Sequence, residues 1–121
     1  MRLYALRGAT SVEADERDAI LTATTVLMQE LLTRNSLKAD DLVSCIFTLT
    51  PDLHAEFPAV AAREMGLSGV PLMCAQELAV EGAMPRVVRV MVHCYLGEGR
   101  SPQHVYLGEA RALRSDLDSA Q

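Results

Sequence analysis

Arg89 is the side chain in this sequence whose position most needs a chemical explanation. It lies inside residues 86–96, a run bounded by a proline and a glycine, with the β-branched, apolar composition of a strand. A guanidinium in the middle of such a strand must pair with an acid, reach solvent, or face a cavity that receives an anion. Glu77 and Glu81 are candidate partners for a structural ion pair. The cavity alternative would make Arg89 a binding or catalytic group.

The charged residues limit which ligands the chain can hold. Sixteen acidic side chains stand against eleven basic ones, a net charge of −5, and ten of the basic residues are arginines. Without a basic block, such a chain is not expected to bind nucleic acid. An anionic small molecule would be repelled by the mean field and could be held only where arginines gather. The arginine excess suits forked recognition of anions, although GC-rich coding produces the same excess.

Other classes of chemistry find little support in the sequence. The histidines lack metal-ligand spacing, so no metal site is expected. No apolar run approaches the roughly 20 residues that span a bilayer, and the N-terminus has no signal-peptide core, which predicts a cytoplasmic protein that does not enter a membrane. The cysteines form no CxxC pair and are expected to be free, buried thiols: Cys45, Cys74 and Cys94.

The elements that must position Arg89 follow from hydrophobic periodicity within one domain of residues 1–121. One helix is predicted to open at the acidic residues 13–16 and to end at Asn35, and a second covers 58–65. Residues 8–11 are predicted to be a small-residue turn, and the polar tail from about residue 115 is predicted to be flexible. Strands are predicted over residues 2–7, 42–48, 70–75, 86–96 and 104–107.

This order predicts an α+β (α/β-like) fold: a mixed five-stranded sheet with two helices on one face. The other face of the sheet has no predicted cover. In residues 86–96 both sets of alternate side chains are mostly apolar, so that uncovered face is poorly suited to water. Association of several copies through the sheet is the simplest solution.

Six segments together resemble one family, the small monofunctional chorismate mutases of the trimeric α/β class. The resemblance runs from the first predicted strand to about Leu117. It rests on residues 6–10 with Glu13, 50–55 with 57–59, 63–64, 74–77, 89–91, and 104–107 with 113–114. It implies a homotrimer whose sheets form a pseudo α/β-barrel, with active sites at subunit interfaces. It also implies conversion of chorismate to prephenate, for phenylalanine and tyrosine biosynthesis, without cofactor or metal.

The resemblance also implies roles for individual residues. Arg89 would lie beside the ether oxygen of the breaking bond, and Glu77 would stabilise the positive charge that develops on the ring. Glu77 and Cys74 would meet the hydroxyl end of the substrate. Arg7 and Tyr106 would hold its carboxylates.

Further residues would close the site. Phe57 would line it from the neighbouring subunit, and Arg63 and Arg114 would be mobile arginines at its mouth. Val60 stands where a basic residue is expected in a relative. Two other functions stay open: an imine deaminase of similar trimeric shape, which segments 74–77 and 104–107 do not suggest, and a non-catalytic trimer that binds a small dicarboxylate.

Overall fold

The β-branched run around Arg89 forms the central strand of the sheet. The protein, a computed structural model, is described over residues 1–113. Its strands are β1 (Arg2–Ser11), β2 (Leu42–Leu49), β3 (Leu72–Gln76), β4 (Val87–Leu96) and β5 (Val105–Leu107). Its helices are α1 (Arg17–Arg34) and α2 (Ala59–Ala62), with short 3₁₀ segments at Ala39–Asp41 and Gly108–Leu113.

The sheet is mixed, with strand order β3-β2-β4-β1-β5. The central strand β4 runs antiparallel to both β1 and β2. The outer strands β3 and β5 are parallel to their neighbours β2 and β1. The predicted five-stranded mixed sheet is therefore confirmed.

The two sides of β4 have different surroundings. Val88, Val90, Val92 and Cys94 are buried in one core with the apolar side chains of α1 and α2. The intervening residues of β4 point to the opposite side, which we call the open face. Both helices thus cover one face of the sheet, as predicted.

Among residues 1–113, cover on the open face is found at one end. There Ala110, from the last 3₁₀ segment, packs against Ala9 and Val87. Farther along the same face, Leu3 and Tyr95 are 49% and 43% exposed. The part of the chain that the structure describes thus leaves these two large apolar side chains exposed on this surface. None of the helices within residues 1–113 has the length and apolar composition that a bilayer crossing requires.

The turn predicted at residues 8–11 is wrong, because β1 continues to Ser11 and pairs with β4 along its whole length. Gly8 faces α1, and a Cβ atom added there would lie 2.8 Å from Leu31 Cδ1 and 3.0 Å from Val90 Cγ1. The glycine thus permits the close approach of helix to strand rather than a turn. As a consequence, Arg7 lies in the middle of a strand and not at its end.

The second helix is interrupted at Gly66, as predicted, but only its first part is α-helical. Its α-helical part covers Ala59–Ala62 and continues as a wider π-type turn over Arg63–Leu67. Gly66 adopts a φ of 96° there, a conformation that glycine tolerates better than other residues. The predicted flexible tail from about residue 115 lies outside the described residues.

Candidate active site

Arg89 is paired with Glu77 on the open face. Its Nε atom donates to Glu77 Oε2 at 3.0 Å and to Oε1 at 3.2 Å. Glu77 is in reach because its N–H donates to the Leu49 carbonyl at 2.8 Å, which extends the pairing of β3 with β2 by one residue. Within residues 1–113, the terminal nitrogens of Arg89 have no hydrogen-bond partner. The carboxylate thus holds the inner edge of the guanidinium and leaves its outer fork for a ligand.

Thr48 fixes the carboxylate. Its Oγ1 donates to Glu77 Oε2 at 2.6 Å, and it is the register partner of Arg89 across the β2–β4 pair. Sequence reasoning missed Thr48. The sequence did carry a signal for it. Side chains alternate between the two faces of a strand, so Ser44, Ile46 and Thr48 lie on the same face of β2.

A cavity of about 470 Å³ opens beside this ion pair, and we call it the Arg89 cavity. Arg7 and Tyr106 line it together with Arg89. Arg7 pairs with Met91 and Ala9 pairs with Arg89, so the two arginines are diagonal neighbours on adjacent strands. Counted over residues 1–113, two guanidinium groups and one carboxylate give this cavity a positive balance within an acidic protein. It is suited to an anion with more than one acidic group.

A second cleft, of about 310 Å³, lies on the other side of the sheet, and we call it the Phe57 cleft. Phe57 and Cys74 line it. Cys74 pairs with Phe47, which is fully buried under the helices, whereas Arg89 pairs with Thr48. Because successive residues of a strand point to opposite faces, Cys74 and Arg89 lie on opposite sides of one sheet.

Cys74 is a neutral group in this cleft. Burial raises the pKa of its thiol, although the main-chain hydrogen bond involving Ala59 and the nearby charge of Arg63 oppose the shift. The thiol therefore stays protonated at neutral pH, and it can pack or form weak hydrogen bonds but is a poor nucleophile. Burial also raises the pKa of Cys45, to about 11, which fits a thiol in the core.

The loop between β2 and α2 is hydrogen-bonded to the start of β4. Asp52 accepts the Arg86 N–H with both carboxylate oxygens, at 3.0 and 3.2 Å, and accepts the Thr50 hydroxyl at 2.6 Å. Thr50 Oγ1 in turn accepts the Val87 N–H at 3.0 Å. The start of β4, two residues before Arg89, is therefore fixed by this loop.

Asp15 holds the next part of the same loop. Its Oδ1 accepts the main-chain N–H groups of His54 and Ala55 at 2.8 and 2.9 Å, and its Oδ2 lies 3.1 Å from His54 Nδ1. The hydrogen bond from the His54 N–H is the main reason why the pKa of Asp15 is lowered. Partial burial opposes that shift, and the Ala55 N–H and the charge of His54 support it. Asp15 thus anchors the segment that leads to Phe57.

We expect Asp15→Asn to destabilise the protein at neutral pH and to lose that effect in acid. The folded state lowers the pKa of Asp15 below its ordinary value of 3.8, so its stabilisation is present above that value and is lost as the pH falls through the lower folded pKa. Urea midpoints of both proteins between about pH 7 and pH 2 test this. A gap between the two proteins that stays constant down to the lowest pH would contradict it.

The structure divides the predicted site residues into two groups. Arg63 is exposed on the turn after α2, beside the Phe57 cleft. Position 60 in α2 carries the half-buried Val60 and therefore no basic side chain. Arg114 lies outside the described residues. The Arg89 cavity contains Arg7, Arg89 and Tyr106 with Glu77 at its edge, and the Phe57 cleft contains Phe57 and Cys74.

No group of three or more histidine, cysteine, aspartate or glutamate side chains within residues 1–113 is arranged to hold a metal ion. The three cysteines are free thiols. Among the described residues, the charged groups gathered at the Arg89 cavity are two arginines and one carboxylate.

Known proteins are similar to this chain over nearly its whole length. The profile of the family "Chorismate mutase type I" matches residues 3–117. Chorismate mutase AroH of Thermus thermophilus is 46% identical over 121 residues, which cover 96% of this chain and 97% of the relative. Chorismate mutase AroH of Bacillus subtilis (strain 168) is 40% identical over 119 residues, with 97% and 94% covered.

A solved structure agrees. The chorismate mutase from Clostridium thermocellum superposes with a TM-score of 0.88 at 42% identity, and the match covers 91% of this chain and 99% of that one. These matches confirm the resemblance noted in the sequence. The chain belongs to the chorismate mutase type I family.

Proposed function

We propose that this protein converts chorismate to prephenate, in the biosynthesis of phenylalanine and tyrosine. Family membership supports the reaction. The observation that carries the mechanism is the Arg89–Glu77 pair, which presents the outer edge of a guanidinium to a positively balanced cavity. Chorismate is a dicarboxylate, so Arg7 and Arg89 in one cavity match its charge.

The reaction explains why a cation and a carboxylate are needed and a nucleophile is not. A [3,3] rearrangement is intramolecular and transfers no proton. As the ether bond breaks, negative charge develops on the enolate oxygen and positive charge on the ring. A fixed cation at the oxygen and a carboxylate near the ring stabilise the transition state more than the ground state. We assign these roles to Arg89 and Glu77.

The remaining roles concern binding. Arg7 and Tyr106 hold the substrate carboxylates and keep the enolpyruvyl arm in its reactive geometry. Thr48 limits the motion of Glu77 through its 2.6 Å hydrogen bond. The thiol of Cys74 contacts the hydroxyl end of chorismate, and Arg63 and Arg114 close the mouth of the site.

We further propose that the site is assembled between copies of the chain. Cys74 and Phe57 lie across the sheet from Arg89, so they can join one ligand only if the Phe57 cleft of one copy meets the Arg89 cavity of the next. Phe57 is 65% exposed, which fits a side chain that packs against a neighbour. A homotrimer whose open faces form a pseudo α/β-barrel would bring the Phe57 cleft of one copy to the Arg89 cavity of the next. It would also give the exposed Phe57 a neighbour to pack against.

The direct test is incubation of the pure protein with chorismate. We expect loss of chorismate absorbance with formation of prephenate, far above the uncatalysed rate. Saturable binding without turnover would instead identify a non-catalytic dicarboxylate-binding trimer. Absence of both would leave an imine deaminase as the next activity to assay. The cytoplasmic location stays a prediction that cell fractionation can check.

A further inference from the structure

The short outer strand β5 is held in an unusual way. It pairs with β1 over only three residues, with Val105, Tyr106 and Leu107 opposite Gly8, Ala9 and Thr10. An edge strand of this length contributes few main-chain hydrogen bonds. Yet it carries Tyr106 into the Arg89 cavity. Its position must therefore be fixed by something beyond its own pairing.

His104 continues the pairing with its side chain. The Arg7 N–H lies one residue before the first β1–β5 pair and donates to His104 Nδ1 at 3.0 Å. In this contact Nδ1 is the acceptor, so it carries no proton of its own. The contact joins the backbone of one cavity residue, Arg7, to the strand that carries another, Tyr106.

Asn35 fixes the backbone from which His104 projects. Its side chain is almost completely buried, and its Oδ1 accepts the Gln103 N–H at 2.7 Å. Its Nδ2 donates to the carbonyls of Gln103 and Leu31, both at 2.9 Å. One amide thus pairs with both main-chain groups of Gln103 and ties them to the end of α1. His104 is the next residue along the chain.

We propose that His104, held by Asn35, is a positioning residue for substrate binding. It sets where Arg7 and Tyr106 enter the Arg89 cavity, and it does so through the main chain of Arg7 without touching the substrate. This inference rests on the proposed function, because it assigns Arg7 and Tyr106 to the substrate carboxylates. Since those carboxylates are bound in the ground state and the transition state alike, loss of the contact weakens binding more than it slows the chemical step.

His104→Ala is expected to raise the KM for chorismate about five-fold and to change kcat by less than about two-fold. His104→Asn places an acceptor oxygen at the same branch position as Nδ1 and should restore KM. His104→Gln places its oxygen one carbon farther out and should behave like the alanine variant. Gln103→Ala is the matched control, because only the main chain of Gln103 contacts Asn35, and its KM should stay at the wild-type value.

Hydrogen exchange gives a readout that does not depend on turnover. The Arg7 amide should exchange faster in His104→Ala and His104→Gln than in wild type and His104→Asn. The inference would be overturned if His104→Gln kept the wild-type KM and the wild-type protection of the Arg7 amide. It would also be overturned if His104→Asn failed to restore them. If wild type itself does not turn chorismate over, the proposed function fails and the exchange data still report on the contact.

Discussion

Arg89→Ala is expected to lower kcat for chorismate by about 100- to 1000-fold, the usual effect of removing one preorganised donor to a developing oxyanion. The variant loses the cation at the breaking ether bond. It also leaves Glu77, 20% exposed and still held by Thr48, as an unpaired carboxylate that faces an anionic substrate. Both effects act in the same direction. KM is expected to rise as well.

Three measurements make the result specific. Circular dichroism and size-exclusion chromatography should show an unchanged fold and oligomer, because the Arg89 side chain is 36% exposed and leaves no large internal cavity. Arg89→Lys should recover little activity, since an ammonium group cannot contact Glu77 and ligand oxygens in the same forked geometry. Arg17→Ala removes the same charge from the exposed start of α1 and should retain wild-type kcat. A kcat near wild type in Arg89→Ala would remove Arg89 from its assigned role.

Mixed oligomers of two inactive variants are expected to regain activity. Arg89→Ala disables the Arg89 cavity, and Arg63→Glu places a repelling charge beside the Phe57 cleft of the same chain. If each site takes its two halves from different copies of a trimer, the trimers that contain both variants have about one third of their sites with both halves intact. Co-expression under two different tags, followed by tandem purification and the chorismate assay, measures this recovery.

The matched control mixes Arg89→Ala with the double variant Arg63→Glu/Arg89→Ala. Every site in that mixture lacks Arg89, so no recovery is expected. If the first mixture also stays inactive while its two components co-purify as a folded oligomer, both halves of the site belong to one chain. Provided that the wild type turns chorismate over, that result would contradict the assembly between copies.

Much of the fold was accessible from sequence because its strongest signals are local. The β-branched run around Arg89 and the apolar stripe of α1 each specify an element without reference to the rest of the chain. The ion pair of Arg89 with Glu77 was one of the alternatives that the anomaly at Arg89 left open. It could be named because a guanidinium in a strand of this kind has few ways to find partners for its charge and its hydrogen-bond donors.

The errors and omissions concern contacts between distant segments. Gly8 was read as a turn because its role depends on Leu31, which approaches only after α1 packs on the sheet. The resemblance assigned Cys74 and Glu77 to the same end of the substrate, but it did not indicate that β3 puts Cys74 on the helix side while Glu77 pairs with Arg89 on the open face. Asn35 was read only as a helix end. Its role depends on Gln103, 68 residues farther along the chain.

The position of β4 in the chain has a consequence for synthesis on the ribosome. The central strand is the fourth of five in sequence, and its pairing with β1 joins Arg2 to Leu96. Until β4 has left the exit tunnel, β1 and β2 lack the strand that lies between them and expose unpaired edges. The sheet can therefore close only after β4 has been made, when it meets the earlier strand β1. We expect slow folding dominated by non-local contacts, with the nascent chain most open to aggregation just before Arg89 arrives.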